Sequence, residues 1–180
     1  RSIGGRSHPG CAAAMRRPER AGDLPFVGSR PEGAAASAAS AYGKLTGRPA
    51  ACFAIAGPGS TNLLTGLYDA KVDRSPVLAI SGQVPSKVLG RGAFQDVDLN
   101  AAFAAVSSSS KTVLPDSDHG ELMPLALKHA PVQREVAPLA LPDHVHVKVL
   151  GRAPRPSPPP APHGFGSGGP RVSGRGQLGS

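Results

Sequence analysis

Tryptophan is absent from this chain, and Phe, Trp and Tyr together account for only 4% of its 180 residues. Its core must therefore be built from Ala, Val, Leu and Ile. Only two cysteines occur, Cys11 and Cys52. They are too few and too unpatterned for a disulfide framework or a zinc site, and Cys52 within ACFAIA reads as a small buried apolar residue. No run approaches the roughly 18 apolar residues needed to cross a bilayer. The first residues also lack the charged-then-apolar order of a secretory signal. A cytoplasmic protein, or a fragment of one, is the expectation, with no membrane partner.

Acidic residues are scarce at the two ends. The formal charge is +8, which taken alone suggests a nucleic-acid ligand. It divides as +4 over residues 1–30, −1 over 31–147 and +5 over 148–180. The basic excess lies wholly in the flanks, which suit weak polyanion binding without sequence preference. The interior has no basic stripe interleaved with aromatics, so no specific nucleic-acid partner is expected.

Glycine and proline, by contrast, are abundant, at 23 and 20 residues. Residues 151–180 contain seven Pro and eight Gly. Such a stretch cannot bury enough apolar surface to offset its ordering entropy. Residues 148–180 are therefore expected to be a disordered tail. Residues 1–11 carry no recognisable pattern and are left unassigned, which places the folded domain at 12–147.

Within that domain, apolar runs alternate with helical stretches. AAAMRRPER suggests a short helix and LPFVGS (24–29) a short strand. EGAAASAASAYGKLTG (32–47) is a helix by its Ala content, stopped by Gly47. ACFAIA (51–56) and PVLAIS (76–81) are continuous apolar runs, as expected of strands buried on both faces. TNLLTGLYDAKVD (61–73) reads as a helix capped by Ser60 or Thr61. Further along, LNAAFAAV (99–106) is helical and KTVL (111–114) fits an edge strand. Asp118 caps a helix over 119–130 in which Pro124 invites a kink, and REVAPLAL (134–141) is a last strand. Strands alternating with helices predict an α/β fold, a parallel sheet covered on both faces. Ligands of such sheets bind at the carboxyl ends of the strands, which gathers residues 30–32, 57–62 and 82–85 on one rim.

The turn GPGSTN (57–62) is the most distinctive local feature. It has no Lys to reach terminal phosphates, which excludes a Walker loop, and Asn62 stands where a dinucleotide fingerprint needs its third Gly. What remains is a close-approaching backbone turn that presents an Asn amide to a flat or anionic ligand, or a tight turn with no ligand at all. His144 and His146 are one residue apart and lack a third ligand nearby. They read as surface histidines, and no metal site is assigned.

Taken together, RPEGAAASAASAYGKLTG, GPGSTNLLTGLYDA, PVLAISGQVP and GRGAFQDVD resemble the pyrimidine-binding domain of thiamine-diphosphate-dependent enzymes, in the group of acetolactate synthase and pyruvate oxidase. The similarity runs from about residue 12 to 147. It implies that Glu32 shares a proton with a pyrimidine ring nitrogen. The ring's amine, in its imino form, then takes the proton of the thiazolium carbon, and the carbanion attacks a 2-oxo acid. A carboxyl group enclosed away from water can hold such a proton near neutrality. By the same resemblance Pro58, Gly59 and Asn62 lie against the cofactor, Gln83 makes a further contact near the reacting centre, and Phe94 and Gln95 border the substrate.

The departures are specific. Pro31 replaces the His that usually precedes the Glu, and Ser37 stands where a large apolar residue is expected, at a packing cost of about 1–3 kcal/mol. The family's first strand and its substrate-side glycine-rich loop are not recognisable before residue 12, so the fold is expected to be incomplete at its N-terminus. The diphosphate domain with its metal-binding motif is not found after residue 147. The resemblance thus implies a thiamine diphosphate-binding domain of a 2-oxo acid decarboxylating or carboligating enzyme, inactive alone. It further implies Mg2+, and FAD where the parent enzyme is flavin-dependent, bound through domains outside this sequence. Its implied partner is a second copy or a full-length homologue, met across the pyrimidine/diphosphate domain interface. The alternative is a non-catalytic interaction module that pairs with such homologues.

Overall fold

A computed structural model describes residues 2–4, 25–114 and 116–143 of the chain. The expected short helix after residue 12, the HVH pair and the Pro/Gly tail lie outside the described residues.

Among the described residues six strands form one sheet: β1 (Ser2–Gly4), β2 (Phe26–Gly28), β3 (Ala50–Ala54), β4 (Val77–Gln83), β5 (Lys111–Thr112) and β6 (Val136–Pro142). Their order is β2-β1-β3-β4-β6-β5, and every pairing is parallel. The helices among the described residues are α1 (Glu32–Thr46), α2 (Pro58–Asn62), α3 (Leu64–Val72), α4 (Leu99–Ala104) and α5 (His119–Gln133). The α/β expectation holds, and β5 is the edge strand foreseen from KTVL.

The N-terminal expectation is corrected. Ser2–Gly4, left unassigned outside the folded domain, is a strand between β2 and β3, with Ile3 in register with Val27 and Cys52. The segment SIG has one apolar residue and no periodicity to read. Its strand character comes from the two neighbours that satisfy its backbone groups. The chain passes from β1 outward to β2, then crosses back over β1 to β3. This reversal makes the rim between β1 and β3 the switch point where open parallel sheets bind ligands.

Two cores form because the strands are buried on both faces. One face packs Ala50, Cys52, Val77, Ala79 and Val136 against α1, α3 and α4, through Ala35, Ala36, Ala39, Leu63, Leu67, Ala70, Leu99 and Phe103. The other packs Phe53, Leu78, Ile80 and Leu139 against Ala126 and Ala130 of α5. Phe26 lies beside Phe53, with ring centroids 5.5 Å apart. The buried positions 35, 36, 39, 40 and 43 of α1 follow a helical stripe, and Gly47 ends the helix in the left-handed conformation, at φ 67°. A β-carbon at Gly66 of α3 would collide with the backbone N of Ser37 and come within 2.7 Å of Ala36 C. The two helices therefore touch backbone to backbone at that point.

Three local expectations change. The helix read over 61–73 begins at Pro58 instead, with Gly57 as its N-cap, and is interrupted at Leu63. Neither Ser60 nor Thr61 caps it: the Ser60 hydroxyl donates to Ile55 O at 2.7 Å and the Thr61 hydroxyl to Pro58 O at 3.1 Å. Asp118 does occupy the N-cap of α5, but its side chain makes no capping bond, and the helix continues through Pro124 and Pro131. Ser37 is exposed, so the anticipated packing cost does not arise among the described residues.

This packing makes two measurable demands. Gly66→Ala should lower unfolding stability by about 1–3 kcal/mol through overpacking, whereas the exposed neighbour Thr65→Ala should stay within about 0.5 kcal/mol; urea denaturation of both variants checks this. Burial pushes the Cys52 thiol up to about 12, so in a Cys11→Ser background the folded chain should not react with Ellman's reagent at pH 8 until it is denatured.

Candidate functional site

The parallel sheet delivers the carboxyl ends of β2, β3 and β4 to one rim, and each leads into a segment singled out from the sequence. After β2 the chain reaches Pro31, which takes the N-cap of α1 in an extended conformation with no side-chain cap. The Ser29 hydroxyl donates to Pro31 O at 3.0 Å. Glu32 is thus the first residue of α1, half-buried at the rim. A carboxylate is also well placed electrostatically at a helix N-terminus.

After β3 the turn adopts φ 67°, ψ −123° at Gly57, a region open to glycine. It brings Gly59 and Asn62 to Glu32. The Asn62 amide Nδ2 donates to Glu32 Oε2 at 3.4 Å. A β-carbon on Gly59 would lie 3.5 Å from Glu32 Oε1 and 2.6 Å from Ile55 Cγ2. A side chain there would collide with Ile55 and stand beside the carboxylate's other oxygen. Pro58 is exposed on the outer side of the turn. Glu32, Pro58, Gly59 and Asn62, separated by up to 30 positions in sequence, share one place on the rim.

On the other side of the same turn lies a cleft of about 210 Å³, lined by Ile55, Ala56, Gln83, Phe94, Gln95 and Asp143 among others. Phe94 is 90% exposed. Gln95 has a left-handed backbone, φ 65°. Gln83, expected as a ligand contact, is only 4% exposed. Its Nε2 donates to Val97 O and its Oε1 accepts from Val84 N–H, each at 2.8 Å. That commitment is not legible in the motif GQVP, because it depends on where Val97 returns. The role of Gly57 is equally hidden, although this residue permits the closest approach of the two segments. Its positive φ is hinted at only by its place between a strand and a proline.

A larger cavity, about 340 Å³, opens on the opposite rim and is lined by Lys71, Arg74, Ser107, Ser108, Arg134 and Glu135 among others. Helices α3, α4 and α5 end there, and cations complement the carbonyl ends of helices; Lys71 Nζ donates to Ala105 O at 2.7 Å. This accounts for Lys71 without a ligand. Glu135 ties the region together, accepting from Ser108 N–H at 2.6 Å and from the Ser108 hydroxyl at 2.7 Å. Burial by itself would raise the Glu135 carboxyl, but the Ser108 hydroxyl and N–H, His129 and Ser107 together hold it below its ordinary value of 4.5. A lowered carboxyl stabilises the fold above its unfolded value and loses that contribution as pH falls through the folded one. Glu135→Gln should accordingly flatten the fall in thermal midpoint between about pH 5 and pH 3 relative to the parent chain, as read by circular dichroism.

Among the described residues no group of three or more His, Cys, Asp or Glu could hold a metal ion, and no helix is long and apolar enough to cross a membrane.

The chain is 41% identical over 131 residues to the thiamine pyrophosphate-containing protein YdaP of Bacillus subtilis, covering 73% of this chain and 23% of that protein. It is 49% identical over 83 residues to an acetolactate synthase of Arthrospira platensis (46% of this chain, 14% of that protein). It is 35% identical over 117 residues to a pyruvate oxidase of Lactiplantibacillus plantarum (65% and 19%). The chain thus spans less than a quarter of the length of these relatives. The sequence model of the family described as thiamine pyrophosphate enzyme, N-terminal TPP binding domain, matches residues 2–103, beginning with the strand β1. The chain belongs to this family of thiamine pyrophosphate enzyme N-terminal domains.

Proposed function

We propose that the rim formed by Glu32, Pro58, Gly59 and Asn62 receives the pyrimidine ring of thiamine diphosphate, as one half of the active site of an enzyme acting on a pyruvate-like 2-oxo acid. The observation that carries this is the convergence of Glu32 with the glycine-lined turn at the switch point of the sheet. The residues present suit the group. A carboxylate at the rim can meet a ring nitrogen, and the bare Gly59 backbone beside it suits the approach of a flat ring. When bound, the cofactor supplies a thiazolium carbon that, once deprotonated, adds to the 2-oxo acid. Glu32 holds and returns the proton at the pyrimidine nitrogen, and Asn62 fixes the orientation of the Glu32 carboxylate. Phe94 and Gln95 stand on the substrate side.

The diphosphate, its Mg2+ and any flavin are assigned to other domains, because this turn offers no cation for phosphate. The complete site then forms against a second chain, a copy or a full-length homologue. The isolated chain is expected to bind thiamine diphosphate weakly and to be catalytically silent. Titration of the 15N-labelled chain with thiamine diphosphate to about 10 mM should shift the amides of Gly33, Gly59 and Asn62, with an affinity near millimolar. Glu32→Gln should weaken the response several-fold. A titration that leaves those amides unmoved would overturn the assignment.

A further inference from the structure

Between β4 and α4 the chain runs through residues 84–98, with left-handed glycines at 90 and 92 and only turns for local structure. Such a segment is entropically costly to hold in one place. Yet it presents Phe94 and Gln95 beside the turn at 57–62. Val84 is buried at its start and Val97 packs against the core at its end, and one side chain holds the backbone of both. The buried amide of Gln83 accepts from Val84, where the segment begins, and donates to Val97, where it ends. One side chain therefore bridges the two ends of the segment and closes it into a loop.

A second contact comes from Gly57. A β-carbon there would fall 2.8–3.0 Å from the Cβ, Cα and O atoms of Gln95, so the loop rests directly on the glycine backbone. Inside the loop, Asp96 N–H donates to Ala93 O at 2.9 Å and the Asp96 carboxylate accepts from Gly92 N–H at 3.2 Å. These bonds shape the tip but do not attach it to the sheet.

We infer that Gln83 is a positioning residue: its amide clamps the loop of residues 84–97 closed, so that Phe94 and Gln95 form a fixed wall of the cleft beside the Glu32–Asn62 rim. Gly57 is the seat against which that wall rests. This deepens the reading given under Proposed function, and rests on it only for what the cleft receives; the clamp itself is independent of any ligand.

Both Lys87 and Arg91 are exposed within the loop, and Arg74 is exposed outside it, so limited trypsin digestion of the full chain reads the clamp directly. In Gln83→Met, cleavage after Arg91 should accelerate about tenfold relative to cleavage after Arg74, since proteolysis follows the population of the opened segment. Because the chain contains no Trp, Phe94→Trp adds a single fluorescent reporter at an exposed position. On that background Gln83→Met and Gly57→Ala should each lower the steady-state anisotropy of the loop while the far-UV spectrum is retained. Equal acceleration at Arg74 and Arg91, or an unchanged Arg91 rate with unchanged anisotropy, would overturn the clamp. Should Gln83→Met fail to fold, the parent chain still decides the matter. Its Gln83 side-chain amide protons must exchange at least about tenfold more slowly than those of the exposed Gln133, and equal rates would refute the proposal. None of these readouts involves thiamine diphosphate, so failure of the clamp and failure of the cofactor assignment remain distinguishable.

Discussion

The backbone of α3 at Gly66 lies against the backbone of α1 at Ala36 and Ser37, and much of the site depends on that close approach. Any side chain larger than hydrogen would push α1 away from α3. Glu32 sits at the start of α1, and Asn62 lies two residues before α3. The gap between the helices therefore sets the distance between carboxylate and amide. Small residues elsewhere on α1 serve the same end. Ala35, Ala36, Ala39, Ser40 and Gly43 form its buried face, and the hydroxyl of Ser75 donates to Ser40 O at 2.7 Å to hold the far end of the helix against the entry to β4.

Around that contact a polar network on the same pair of helices adds little energy but some register. Asp69 of α3 accepts from Ser40 and Lys44 of α1, at 2.8 and 2.7 Å. Hydrogen bonding from Lys44, and next from Ser40, holds the Asp69 carboxyl below its ordinary range. The pair is largely exposed, and such ion pairs contribute little net stability. The apolar contacts beneath it carry the packing. The rim with Glu32 lies at the other end of α1, away from this network, and so stays open to a ligand.

The two rims of the sheet differ for a reason that follows from its parallel topology. Helix N-termini and glycine turns gather at the carboxyl ends of the strands. Helix C-termini gather at the other end, with Lys71, Arg74 and Arg134 beside them. The larger cavity lies on the second rim, where Lys71 donates to the Ala105 carbonyl at the end of α4. The smaller cleft lies where Gly57, Gln83 and Gln95 converge.

Much of this is legible in the order of residues alone. The apolar runs at 51–56 and 76–81 announce buried strands, the Ala-rich stretch at 32–47 announces α1, and their alternation announces a parallel sheet. These patterns are local, and burial on both faces leaves a continuous apolar signature. Resemblance in four ordered motifs then singles out Glu32, Pro58, Gly59 and Asn62. Three features come only from tertiary structure. Ser2–Gly4 is a strand because β2 and β3 take up its backbone hydrogen bonds. Gln83 is a bracket because Val97 returns to it after fourteen residues, and Gly57 matters because Gln95 rests on it. Residue type and spacing determine which segments form strands, helices and turns. Contacts between segments distant in sequence are decided by how those elements pack, and no local pattern encodes them.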